Sequence, residues 1–354
     1  MRNISVIKGL LLMMLALFVS YVHAQEQPAL PEDLKKGFEC YRAGDMKNAA
    51  EFLEKALPEV EKFSDRYVLV LECLGMAYME LGDDENIRRI MALTEEHNQH
   101  ELTLPCEEPE CMVQRAEYYA ATGENTEARS WYLKALALPL EKEDAFKIYS
   151  SYGKFLGMTM KEYGQAADYC HAAASILSGM GKHDEEYAGL LYQAALYFYF
   201  DGQNEKAIDL YVQVSEFFEL HKDDASARKN VALCHEGMAR SYFVLQDFKM
   251  SLDHYLAALS YYEQEDKEND KYPDLMTYVA RCGRYLKDYE TAISHYEKAL
   301  SLYEERGMDD DYSSTATALN RCYALAGLDK RVEEREDEKK AAMSRELDRI
   351  ISEE

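Results

Sequence analysis

Cations are scarce in this sequence: 40 Lys and Arg stand against 66 Asp and Glu, a formal charge of −26 at pH 7. A chain so acidic repels phosphate backbones and anionic headgroups at long range, which excludes nucleic acid as a partner. Its acidic exterior also serves to keep the protein in solution. Proline is rare, with seven in 354 residues, and no Pro-, Gly- or Ser-rich stretch divides the chain into linked domains. Only one long apolar run occurs, Leu10 to Val19, about half of what a membrane-spanning helix needs. Signatures of catalysis are missing too. Gly179-Met180-Gly181-Lys182 has neither the preceding glycine nor the following hydroxyl residue that a phosphate-cradling loop requires. No His-Glu-x-x-His helix and no nucleophile-elbow serine is present. The chain reads as a non-enzyme, with no catalytic residue, no cofactor and no resident metal expected.

What is present begins at the N-terminus. Arg2 and Lys8 precede the Leu10–Val19 run, and Val22-His23-Ala24 closes the segment with small residues one and three positions before a cut. Those are the marks of a secretory signal peptide over residues 1–24, cleaved after Ala24. The mature chain is then expected to be secreted or periplasmic, with no stable membrane insertion. Losing Arg2 and Lys8 takes the formal charge from −26 to −28.

Tryptophan occurs once, at Trp131, whereas tyrosine occurs 28 times, and the tyrosines recur in a pattern. Leu34 to Leu57 carries Gly37, Tyr41, a Gly44-Asp45 turn, Ala49, Leu53 and Ala56. The same grammar returns as Gly75, Tyr78, Gly82-Asp83 and Ile87, then as Ala116, Tyr119, Gly123, Ala128 and Tyr132. Further copies run through Ala166 and Cys170, Ala207 and Tyr211, and Ser251 and Tyr255; Ala292 with Tyr296 gives the clearest, and Val332 closes the series. The anchors of the second helices thus fall at 49, 87, 128, 166, 207, 251, 292 and 332, spaced by 38 to 44 residues. Each unit shows two apolar stripes at helical spacing around a short polar turn, which is two amphipathic helices. Small residues mark where helices approach closely, and tyrosines fill the space beside them.

This pattern resembles the tetratricopeptide-repeat family, in a long-period, secreted bacterial form, over nearly the whole mature chain. The resemblance implies an all-α, right-handed α-solenoid of about eight helix-turn-helix repeats over residues 25–335. One hairpin cannot bury its own apolar faces, so stacked hairpins make a single extended core. The charged segment 336–354 places Met343, Leu347, Ile350 and Ile351 on one helical face. It reads as a capping helix over the last repeat, or alternatively as a helix that pairs with a second copy into a homo-oligomer.

The resemblance further implies that the first helix of every repeat lines a concave face open to a protein or peptide. Eleven and eight residues before the anchors stand Phe38 and Tyr41, Met76 and Met79, Glu117 and Ala120, Phe155 and Met158, Leu196 and Tyr199, then Arg240 and Phe243, Arg281 and Arg284, and Arg321 and Ala324. Tyr192 lies one turn upstream of Leu196. Early repeats therefore offer aromatics and methionines, and the last three offer arginines suited to clamping carboxylates. The expected binding residues are Phe155, Tyr192, Tyr199, Arg240, Arg281, Arg284 and Arg321, the expected ligand a segment with an acidic end. Against this, Arg240 could simply pair with Glu236 one turn back. The functional reading is an exported binding scaffold. A sensory module like those preceding CHAT peptidases or histidine kinases is the second reading, and a helical glycan-binding protein the third, disfavoured by the lone tryptophan.

Eight cysteines remain. Cys106 and Cys111 share a Pro-bearing insert with His97 and His100; a disulfide, unpaired thiols and a zinc site are all open, with the disulfide favoured over zinc in an oxidising compartment. Cys40, Cys73, Cys170, Cys234, Cys282 and Cys322 fit apolar stripes as core residues. Cys170-His171 and Cys234-His235 are adjacent on a helix and point about 100° apart, so neither works as a dyad.

Overall fold

The structure is a computed structural model that describes residues 31–220 and 224–328. The expected signal segment, the anchor Val332 and the expected capping helix lie outside the described residues. Those described are all-helical: α1 (Glu32–Arg42), α2 (Met46–Ala56), α3 (Asp65–Leu81), α4 (Asp84–Thr103), α5 (Pro109–Ala121), α6 (Asn125–Leu136), α7 (Lys142–Phe155), α8 (Tyr163–Gly179), α9 (Glu185–Phe200), α10 (Asn204–Glu219), α11 (Ala225–Val244), α12 (Phe248–Glu265), α13 (Lys271–Tyr285), α14 (Tyr289–Glu305) and α15 (Asp309–Leu325). They fall into two compact units, divided within α7 between Ser151 and Tyr152. In the first, α1 to α4 pack each on the next and α5 packs on α6; in the second, so do α8 to α15.

The turn inside each hairpin is one device used seven times. The second residue before each second helix takes a left-handed conformation: Gly44, Gly82, Gly123, Lys161, Gly202, Gln246 and Lys287 all have φ between 59° and 85°. Glycine suits that position because it has no Cβ to collide with the carbonyl that follows. The next residue caps the new helix, and Asp45, Asp83, Asp247 and Asp288 each accept a hydrogen bond from a backbone N–H three residues on, at 3.0–3.2 Å. The anchor's N–H then donates to the cap carbonyl, as Ala49 to Asp45 (2.9 Å) and Ala292 to Asp288 (3.1 Å). Position four after a cap is therefore fixed in register, and all seven described anchors are buried.

Fourth and seventh residues after the anchors continue inward. Leu53, Tyr132, Cys170, Tyr211, Tyr255 and Tyr296 are buried, followed by Ala56, Ala135, Ala173, Val214, Ala258 and Ala299. A large residue with a small one a turn later lets the preceding helix come close. A Cβ on Gly37 would sit 2.6 Å from the Leu53 side chain, and one on Gly153 would sit 2.8 Å from Cys170 Sγ. Between hairpins, tyrosine hydroxyls donate to carboxylates on the preceding second helix: Tyr78 to Glu54 (2.8 Å), Tyr118 to Glu95 (2.8 Å) and Tyr323 to Glu297. These bonds account for some of the unusual tyrosine count and occupy part of the acid excess.

One repeat departs from the grammar. After α7 the chain makes a π-turn over Leu156–Met160, and the Glu162 N–H reaches back six residues to the Leu156 carbonyl instead of five. One extra residue has been absorbed without breaking the hairpin.

Candidate functional site

In the second unit the first helices carry a common register. Fifteen, eleven, eight and seven residues before the anchor, α9 places Tyr192, Leu196, Tyr199 and Phe200; α11 places Glu236, Arg240, Phe243 and Val244. Helix α13 places Thr277, Arg281, Arg284 and Tyr285; α15 places Thr317, Arg321, Ala324 and Leu325. The last of each set forms an apolar series that stands half in solvent: Phe200 52%, Val244 53%, Tyr285 47% and Leu325 52% exposed. Side chains at three- and four-residue steps share a helix face, so the arginines lie beside these apolar residues.

Four arginines, three situations. Arg240 pairs with Glu236, whose carboxylate is only 4% exposed and also accepts from Lys271 Nζ at 3.2 Å. Glu236 would be costly to bury alone, and the two cations make its burial tolerable. Arg281 is held differently: its guanidinium lies 5.1 Å from the Phe243 ring centre and 5.9 Å from that of Tyr278. Tyr278 in turn stacks on buried Tyr255 at 5.3 Å. Arg284 lies 4.9 Å from the Tyr285 ring, and Tyr285 stacks on Phe248 at 4.4 Å. No carboxylate among the described residues forms a salt bridge with Arg281 or Arg284. Among the described residues Arg284 Nε and Tyr296 Oη are both buried without a hydrogen bond of good geometry, yet the guanidinium lies close enough to oppose the upward shift that burial gives the Tyr296 hydroxyl. Arg321 is exposed. A guanidinium laid on a ring keeps its N–H edge free while its rotamers are restricted, which prepares it for a planar, bidentate acceptor.

Tyr192 is half-buried and meets Tyr211 edge to face at 5.5 Å; burial pushes its hydroxyl up to about 12, with the nearby Cys234 and Glu236 adding to the shift. Tyr199 lies 5.5 Å from the exposed Phe200 ring. Phe155 is not on this face. It is 5% exposed and packs on Tyr152 at 6.2 Å, because the π-turn inserts a residue between it and the anchor Ala166. Counting back eleven stops one position short; the small residue Gly153 stands thirteen before its anchor, not twelve, and that was the readable signal. Lys154, exposed, occupies the register expected for Phe155. The apolar series and the tyrosines under Arg281 escaped sequence reasoning, although the former recurs at a fixed seven residues before the anchor.

A family model described as tetratricopeptide repeat matches residues 230–305, from α11 through the end of α14. The chain carries tetratricopeptide repeats. The matched segment holds Glu236, Arg240, Lys271, Arg281 and Arg284. Among solved structures, the apo form of RapI is similar, with 14% identity over 89% of this chain and 98% of that one and a TM-score of 0.53. A signal transduction ATPase with numerous domains from Pyrococcus horikoshii, described as having a tetratricopeptide repeat sensor, has 16% identity and a TM-score of 0.53. That match covers 80% of this chain and 44% of the ATPase. Identities so low carry the fold alone: an α-solenoid of repeats. No curated protein matched the sequence.

Elsewhere in the tetratricopeptide array, Cys106 and Cys111 are disulfide-bonded, with Cα atoms 5.7 Å apart. His100 stacks on Phe63 at 4.1 Å, and no group of three or more metal-ligating side chains occurs among the described residues. Cys73, Cys170 and Cys234 are buried, and burial pushes each thiol up to about 12, far from a nucleophile's range. None of the described helices is long and apolar enough to cross a membrane.

Proposed function

We propose that this tetratricopeptide-repeat protein is an exported scaffold that captures an acidic protein or peptide segment on the first-helix face of its second unit. The observation that carries the reading is the state of Arg281 and Arg284: stacked on aromatic rings, paired with no carboxylate of the described chain, and bordered by an apolar series. Their guanidinium edges would take Asp or Glu side chains or a C-terminal carboxylate, while Phe200, Val244, Tyr285 and Leu325 would take apolar neighbours in the ligand. Arg240, neutralised by Glu236, serves as framework, and Arg321 extends the cationic register.

The test is selection from a phage-displayed 12-residue peptide library on the chain from Gln25 to Glu354. Wild type should enrich peptides bearing Asp or Glu beside apolar residues. In Arg281→Glu/Arg284→Glu that enrichment should vanish, with about tenfold to a hundredfold loss of affinity for the selected peptides. Selection of the same peptides by both proteins would sink the assignment.

Export has its own support in the Cys106–Cys111 bond, which persists in oxidising compartments and is rare in reducing ones. Protein isolated from its native cells should begin at Gln25. In intact mass measurement after iodoacetamide labelling without reductant, Cys106 and Cys111 should stay unlabelled. A retained Met1 or alkylated Cys106 would point to the cytoplasm. A sensory or regulatory module is the second reading, prompted by the sensor described for the Pyrococcus horikoshii ATPase; it shares the binding step proposed here and differs only in what binding controls.

A further inference from the structure

Repeats two and six put the same residue type at the same place with opposite consequences. Glu72 stands fifteen residues before the anchor Ile87, as Glu236 stands fifteen before Ser251. Both are buried, Glu72 to 8% exposure and Glu236 to 4%. Glu236 has two cations, Arg240 one turn on in α11 and Lys271 from the following hairpin. At the matching positions around Glu72 stand Met76 and Glu107, neither of which can neutralise it. Among the described residues Glu72 makes no salt bridge and no hydrogen bond, and its Oε1 is fully buried without a partner. Burial alone pushes its carboxyl up to about 7.

An ionised carboxylate held without a partner costs several kcal/mol in a protein interior, and such groups are seldom left so by chance. Its surroundings show what it faces. Leu69 and Met76, one turn to either side on α3, are 41% and 38% exposed, so the stripe that carries Glu72 borders solvent. Tyr41 of α1 lies close enough to feel the Glu72 charge and donates its hydroxyl to Met76 Sδ at 3.0 Å. Phe38 and Met79 complete an apolar rim, each partly buried against the core of the first unit. A partly open apolar rim around one buried, unpaired anion is the complement of a long cationic side chain, whose methylenes lie on the rim while its head reaches the carboxylate.

We infer that the first unit is a second binding face, and that Glu72 is the socket for a lysine or arginine carried by an apolar segment of a partner protein. The ligand supplies in trans what Arg240 and Lys271 supply to Glu236 in cis. The inference rests on the reading of the chain as a peptide-binding scaffold, but uses residues of the other unit.

The same peptide selection tests it, with two variants in the first unit. Wild type should enrich a second class of peptides, with one Lys or Arg flanked by apolar residues, insensitive to Arg281→Glu/Arg284→Glu. Glu72→Gln should lose that class and bind its members about tenfold to a hundredfold more weakly. It should also melt no lower than wild type at pH 8, since it removes an unpaired buried charge. Met76→Arg places in repeat two the cation that repeat six has, and should block the cationic class while leaving the acidic class intact. Enrichment of acidic peptides alone would overturn this inference and leave the proposed function standing; enrichment of no peptide would overturn both. Cationic peptides retained by Glu72→Gln and Met76→Arg would also sink it.

Discussion

Gly237→Ala should lower the stability of the second unit by about 2 kcal/mol and its melting temperature by roughly 4–8 °C, although alanine is the better helix former. A Cβ at position 237 would lie 2.4 Å from Tyr211 Cζ and within 2.7 Å of both neighbouring ring carbons. The ring cannot retreat. Tyr211 is 1% exposed, anchored four residues after Ala207 and held edge to face by Tyr192. Overpacking of this kind costs about 3 kcal/mol, and helix propensity returns roughly 1 kcal/mol of it. Gly189 in α9 supplies the opposite sign, because a Cβ there meets nothing within 4 Å. Gly189→Ala should therefore stabilise by about 0.5–1 kcal/mol. Thermal unfolding of the two variants beside wild type checks both, and shifts in the same direction would refute the packing argument. The consequence reaches the candidate site, since Gly237 follows Glu236 and lies three residues before Arg240. A displaced α11 should weaken capture of acidic peptides even where Gly237→Ala remains folded.

That pair of glycines shows what could be read from the sequence and what could not. The hairpins, their turns and the buried anchors were legible because each rests on a local rule: a left-handed residue, a capping Asp, an apolar position four residues on. Local rules repeat with the repeat. Gly37 announced close helix approach because it stands in the repeating register, twelve residues before an anchor. Gly237 stands fourteen before its anchor, outside that register, and its reason lies in a tyrosine of the preceding hairpin. The same division runs through the site. The arginine row followed from counting, but whether each arginine was already neutralised depended on contacts that counting does not give. Arg240 met Glu236, which Lys271 also reaches, whereas Arg281 and Arg284 met rings. Phe155 failed for a third reason: a single inserted residue, hidden in the π-turn, shifted the count by one position. Glu72 was invisible in a chain with 66 acids, because nothing in its sequence neighbourhood distinguishes a buried carboxylate from a solvated one.

Acid should loosen the α11–α12 hairpin selectively. His235 and His254 face each other with their Nδ1 atoms 2.9 Å apart, and the Tyr242 ring stacks on His254 at 5.4 Å. One Nδ1 must donate and the other accept, so the contact holds only while at least one imidazole is neutral. Burial holds both below the ordinary histidine range. Glu219 works against the shift at His235, while at His254 the neighbouring imidazole adds to it and Asp253 opposes it. With folded-state values depressed, the unfolded chain takes up protons first as the pH drops. The contribution is therefore fully present above the unfolded value of about 6.5 and is lost as the pH falls from there toward the folded values. The slope can reach about 1.4 kcal/mol per pH unit for each proton. Hydrogen exchange between pH 7.5 and 5, corrected for intrinsic rates, should show the amides of α11 and α12 losing protection before those of α14. His235→Asn/His254→Gln, which can keep a neutral hydrogen bond, should flatten that dependence. An unchanged slope in the double variant would place the titration elsewhere. Because α11 carries Glu236, Arg240 and Phe243, a hairpin loosened by acid also withdraws the ring on which Arg281 rests. Capture of acidic peptides should then weaken below about pH 6 for a reason separate from protonation of the peptides' own carboxylates, whose ordinary values lie near 4.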